Sequence, residues 1–343
     1  MAVSWPTKLT RASLLGIFRF THYLLFVPAR FRVIFVREET SVREREAAHG
    51  MISLEEACSW RWVCQNNTHI TSQTVESRPN AMQLTVVALY GEKRSDLAAL
   101  IGRCQELCRG VLGVGFKSYE PFQIHATIFG LERKVGSPFY NANFSRYQGC
   151  DRVMNLEAIL DYLRRCGHFP LEVQVGGYGK RYYPFTSRQA CPYERSFSIQ
   201  GDKVVVMGWP IRGKPFSQPP ATPSAWIQEA KLYPPTLDVV RHAAQAYGVL
   251  HAYRRALTDI DNDLFFRIGL LVDRTSLTER VRDTLESEVR QFLSMQPPLI
   301  LDIGLDQVSV VLYEEDTLPP SSTRVWSLAD PDLTASALME RLT

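Results

Sequence analysis

Apolar and polar positions first fall into a regular order at residue 82. "MQLTVVALY" (82–90) is rich in β-branched and aliphatic residues and predicts a strand. In "SDLAALIGRCQELCRGVL" (95–112), Leu97, Leu100, Ile101, Cys104, Leu107 and Val111 recur every three or four residues, which predicts an amphipathic helix capped by Ser95. "PFQIHATIFGLE" (121–132) follows as a strand. Alternation puts His125, Thr127 and Phe129 on one face of it and Ile124, Ala126 and Ile128 on the other.

The same order returns later. "DNDLFFRIGLLV" (261–272) predicts a strand. "SLTERVRDTLESEVRQFLSM" (276–295) predicts a helix with a Ser276/Glu279 capping box and an apolar face of Leu277, Val281, Leu285, Val289 and Phe292. "LDQVSVVLYEED" (305–316) follows as a strand, with Gln307, Ser309 and Val311 on one face and Val308, Val310 and Leu312 on the core side. Leu84 and His125 are 41 residues apart, Leu264 and Gln307 are 43 apart, and the two helix-starting serines follow those leucines by 11 and 12. Two copies of such a unit are too few for a solenoid and point to a bilobal, duplicated β-α-β fold. Between the copies lie the helix pattern "MNLEAILDYLRRCG", the strand patterns "LEVQVGGYG" and "DKVVVMGWPI", and the helix pattern "PPTLDVVRHAAQAYG". Loops rather than helical crossovers join several of these strands, which favours α+β over a doubly wound parallel sheet. The expected domain spans 81–343, with motif strands near 123–131 and 306–313; residues 1–80 form an N-terminal extension.

Composition changes this picture little. The chain has 343 residues, 45% hydrophobic and 22% charged, and a net charge of +3, so a polyanion site would have to be a local basic pocket. Seven cysteines, with no CxxC pair, suit a reducing cytoplasm rather than a secreted disulfide framework, and Cys104 and Cys108 read as buried thiols. The apolar stretch near the start carries Arg19, His22, Arg30 and Arg32 and is interrupted by Pro28, which argues against a transmembrane helix. It reads either as a basic segment suited to peripheral membrane contact or as a poorly ordered extension. P-loop, GxGxxG and HExxH signatures are absent from the sequence.

The chemistry-bearing residues are His125 and Thr127 in "HATI" and their counterparts Gln307 and Ser309 in "QVSV". A strand, a helix and then an apolar strand carrying H-x-T/S, all occurring twice, resembles the 2H phosphoesterase superfamily, which includes 2'-5' RNA ligase-like proteins and cyclic phosphodiesterases. The resemblance covers about residues 82–320. It implies two mainly antiparallel sheets around a central cleft. It also implies action on a 2',3'-cyclic phosphate, a 2'-5' linkage or a cyclic nucleotide or RNA end, with neither metal nor cofactor required. In the family one histidine takes a proton from the attacking oxygen, the other gives one to the leaving oxygen, and the Thr or Ser hydroxyl meets the phosphate. Here the second histidine is replaced by Gln307, whose amide cannot exchange a proton near neutrality. The alternative expectation is therefore a binding module for a nucleotide or RNA end that keeps the cleft without turnover. His168, His242 and His251 are the other histidines after residue 82, and nothing in the sequence places them in the cleft.

Residues 176–198 interleave Lys180, Arg181, Arg188 and Arg195 with tyrosines and Phe185. Such a mixture suits either a nucleotide-binding segment, with Arg181, Tyr182 and Tyr183 in contact, or a solvated loop covering the sheet edge. Asp259, Asp261 and Asp263 alternate before a strand without the glycine and glutamate of a calcium loop, and read as turn-forming acids.

Overall fold

A computed structural model of the protein describes residues 82–134, 136–137, 139–212, 232–251, 260–274 and 277–342. The N-terminal extension, Asp259 and Ser276 lie outside the described residues.

The strands are β1 (Gln83–Ala88), β2 (Phe116–Ser118), β3 (Ala126–Gly130), β4 (Leu171–Val175), β5 (Phe197–Gln200), β6 (Lys203–Pro210), β7 (Leu264–Leu271), β8 (Leu299–Ile303), β9 (Val308–Tyr313) and β10 (Arg324–Ser327). The helices are α1 (Ser95–Leu112), α2 (Ala142–Gln148), α3 (Leu156–Arg165), α4 (Pro192–Arg195), α5 (Thr236–Ala243), α6 (Glu279–Met295) and α7 (Ala335–Leu342). Helices and a large antiparallel sheet make an α+β architecture, and no helix among the described residues is long and apolar enough to cross a membrane.

Two separate sheets are not seen among the described residues. Their strands hydrogen-bond into one sheet in the order β10-β9-β1-β3-β7-β6-β4-β8, with β2 added to β7 and β5 to β6. The sheet has a narrow waist, because β3 and β7 share a single aligned pair, Ala126 with Phe266. The predicted second unit does not close on itself as the first does. β3 returns beside β1, whereas β9 returns not to β7 but to the far side of β1. Both sides of β7 are taken by β3 and β2 and by β6, so the mostly apolar "VSVVLY" of β9 completes burial of β1 instead.

One face of the sheet carries the main core. Leu97, Ile101 and Cys104 from α1, Ile159 and Leu163 from α3, and Leu285 and Leu293 from α6 pack there against Val86, Ile128, Val206, Ile268 and Val310. Each such side chain contributes about 1.5–3 kcal/mol when fully buried. Cys104 and Cys108 are free and buried. The helix starts differ from those predicted: Arg94 occupies the cap position of α1 without a side-chain cap bond, and Thr278 caps α6 by accepting from the Val281 amide. The opposite face holds two small clusters. Val87, Val311, Tyr313 and Leu318 lie on one half, and Tyr178, Val205, Met207 and Trp209 on the other. The waist lies between them.

Candidate functional site

His125 immediately precedes β3, after a 3-10 turn at Pro121–Gln123 in which the Gln123 side chain accepts from the Glu120 amide. The imidazole is buried, and its Nδ1 lies 2.8 Å from the Gln123 carbonyl. A carbonyl only accepts, so Nδ1 carries the proton and Nε2 keeps the lone pair of a neutral ring. Burial, above all, and the nearby Lys93 and Arg267 cations together push this histidine down to about 4, against the opposing effect of the Gln123 bond. It is therefore neutral at physiological pH and suited to accept a proton.

A cavity of about 160 Å³ opens at the waist, with His125, Thr127, Glu132, Lys203, His251 and Arg267 among its walls. That volume accommodates a phosphate-sized group rather than a drug-sized molecule. The register around the Ala126–Phe266 pair sets His125 beside Arg267 and Thr127 beside Phe265, since neighbours across an antiparallel pair share a face. Arg267 is buried. Its Nη1 donates to the Asp316 carboxylate at 3.1 Å and to the Asp316 carbonyl at 3.2 Å, while Nε has no hydrogen-bond partner among the described residues. The loop bearing Asp316 is fastened next to the histidine, because Gln123 Nε2 donates to the Thr317 carbonyl and Tyr90 Oη to the Leu318 carbonyl.

Of the residues singled out from the sequence, the structure brings His125 and Thr127 into this cavity and leaves Gln307 and Ser309 outside its walls. β3 and β9 both flank β1, and Val87 pairs with Thr127 on one side and Ser309 on the other. Thr127 and Ser309 are thus two strands apart, about 10 Å at ordinary strand spacing, in the same half of the sheet. Gln307 is exposed, and its side-chain carbonyl accepts from the Gly304 amide within its own turn. The sequence comparison matched β9 to β3; the strand that actually meets β3 at the waist is β7, with Phe265 and Arg267.

Arg181 and Tyr182 line a separate surface groove of about 650 Å³ together with Lys180, Tyr193 and Arg290. Tyr183 is buried in the Tyr178–Trp209 cluster, and its hydroxyl accepts from Arg181 Nε at 3.0 Å. Asp263 accepts from Trp209 Nε1 and Ser187 Oγ, both at 2.7 Å, and Asp261 from Arg241, so these acids anchor buried structure. No group of three or more His, Cys, Asp or Glu residues among the described residues is placed to hold a metal ion.

Sequence alternation missed Glu132. A bulge makes Val87 pair with Thr127 but Val86 with Phe129, leaving Ile128 as the extra residue. Past that point the faces exchange, so Phe129 enters the main core and Gly130 and Glu132 reach the cavity. The Glu132 side chain folds back over Gly130, where a methyl group would collide with its carboxyl. Tyr313 Oη approaches the carboxyl at 3.5 Å and Asn143 Nδ2 at 3.4 Å. Burial pushes Glu132 above its ordinary value, outweighing its hydrogen bonds and the Arg146 and Lys203 charges.

No family model and no curated relative matches this chain. Among solved structures it is similar to the crystal structure of TT0787 of Thermus thermophilus, at 13% identity over 71% of this chain and 93% of that one, with a TM-score of 0.26. A likeness of that size carries no functional argument.

Proposed function

We propose that the waist cavity binds the phosphate of a nucleotide or RNA end and that the protein is a 2H-type phosphoesterase. It acts on a 2',3'-cyclic phosphate, a 2'-5' linkage or a cyclic nucleotide. The observation that carries this reading is the His125 imidazole, tied through Nδ1 to the Gln123 carbonyl and placed in one cavity with Thr127 and Arg267. Nε2 takes the proton of the attacking oxygen, while the Thr127 hydroxyl and the Arg267 guanidinium meet the phosphate oxygens. Arg267 exchanges Asp316 for the phosphate, because a guanidinium binds either anion. Purified protein is expected to hydrolyse a 2',3'-cyclic nucleotide, and His125→Ala to lower the rate by about a hundred- to ten-thousand-fold.

Phe265 favours a second reading. It stands beside Thr127 where a proton carrier would complete a symmetric site, and an aromatic ring there supports a nucleotide- or RNA-binding module without turnover. Absence of hydrolysis together with a nucleotide-dependent rise in Tm, lost in Arg267→Ala, would select that reading. Absence of both would remove phosphate recognition altogether.

A further inference from the structure

We infer that Glu132 is the proton donor of the waist cavity, acting from the opposite side of Thr127 to His125. The inference rests on the phosphoesterase reading above. β1 supplies the ruler: Ala88 pairs with Ala126, Val87 with Thr127, and, beyond the bulge, Thr85 with Gly130. His125 therefore lies one two-residue step from Thr127 in one direction, about 7 Å, and Gly130 lies one such step in the other. The Glu132 carboxyl rests over Gly130 rather than over its own Cα. A phosphorus atom held above Thr127 thus has an imidazole on one flank and a carboxyl on the other, the arrangement that in-line displacement requires.

The surroundings of the carboxyl fit a donor. Glu132 forms no salt bridge among the described residues, its hydrogen-bond partners Tyr313 and Asn143 are neutral, and burial favours its protonated form. A bound phosphate would favour that form more strongly, since two adjacent anions repel. His251, the other histidine in the wall, is the weaker candidate. Burial, with Arg241 beside it, holds its imidazole well below its ordinary value, so it has no imidazolium proton to give.

In the step itself, His125 Nε2 takes a proton from water as the water oxygen bonds to phosphorus. The bond from phosphorus to the leaving oxygen breaks, and the Glu132 O–H proton passes to that oxygen. Glu132 then regains a proton from solvent and His125 releases one, so no oxidant, reductant or further reactant is needed.

The test compares two substrates in one protein: a 2',3'-cyclic nucleotide, whose alkoxide must be protonated as it leaves, and bis(4-nitrophenyl) phosphate, whose phenolate leaves without a proton. In Glu132→Gln the ratio of the first rate to the second is expected to fall about a hundredfold or more. A ratio within one preparation is independent of the fraction folded. An active wild type whose ratio is unchanged in Glu132→Gln, or changed in His251→Gln instead, overturns this inference and leaves the phosphoesterase reading standing. A wild type inactive on both substrates removes both.

Discussion

A neutral histidine in a buried wall has a thermodynamic signature of its own. His125 has a folded-state value of about 4 against an ordinary 6.5, so the unfolded chain binds protons that the folded one refuses. Its contribution is present above pH 6.5 and is lost as pH falls towards 4. A shift of this size makes His125 cost about 2 kcal/mol more at about pH 4.5 than at about pH 7. Denaturant unfolding of the wild type and of His125→Asn, compared at the two pH values, is expected to show that difference. Inorganic phosphate should reduce it, because a bound anion favours the imidazolium. Equal stability differences at both pH values would mean that His125 is solvated rather than buried. At this scale the sequence was informative where side-chain chemistry contradicted its neighbours: an imidazole and a hydroxyl in an apolar strand stood out. Glu132 did not stand out, because it follows the apolar run and the bulge at Ile128 reverses its face; Gly130, a lone glycine in the strand, was the one local sign of the change.

How the two halves are held depends on one side chain of α5. Arg241 is fully buried at the end of this helix. Its Nε donates to the Ile128 carbonyl at 2.7 Å and Nη2 to the Thr127 carbonyl at 2.9 Å. Its Nη1 reaches the Asp261 and Asp263 carbonyls at 2.9 and 3.0 Å, on the approach to β7, and the Asp261 carboxylate at 3.0 Å. β3 and β7 share only one aligned pair, so the planar guanidinium supplies bonds across the waist that strand pairing does not. Arg241→Met leaves a buried carboxylate and several carbonyls without this partner, and should cost about 3–5 kcal/mol. Arg241→Lys should recover little of it, because a single ammonium cannot span both strands. The midpoint of urea unfolding measures both effects, and full stability in Arg241→Lys would show that charge alone suffices. Helix α5 itself was readable from its periodicity. Its clamp was not, since Arg241 lies in a polar-looking last turn whose distant carbonyl partners leave no mark on local sequence.

Strand order is the property of the whole molecule that local pattern could not supply. Apolar runs declare strands, but which strand lies beside β3 depends on the competition between β7 and β9 for open edges, a matter of long-range pairing. The matched spacings therefore picked out His125 and Thr127, which line the waist cavity, and Gln307 and Ser309, before and at the start of β9, which lie outside its walls. The two assignments make opposite demands on an added imidazole. At Phe265 it would face the cavity next to Thr127; at Gln307 it would sit in an exposed turn outside the cavity walls. Phe265→His should therefore raise hydrolysis of a 2',3'-cyclic nucleotide about tenfold or more, most clearly in a chain that also carries Glu132→Gln, because it restores a titrating group beside the phosphate. Gln307→His should leave the rate unchanged. If Gln307→His accelerated the reaction and Phe265→His did not, the phosphate would have to lie between β3 and β9 over β1, and the waist between the two halves would be structural only.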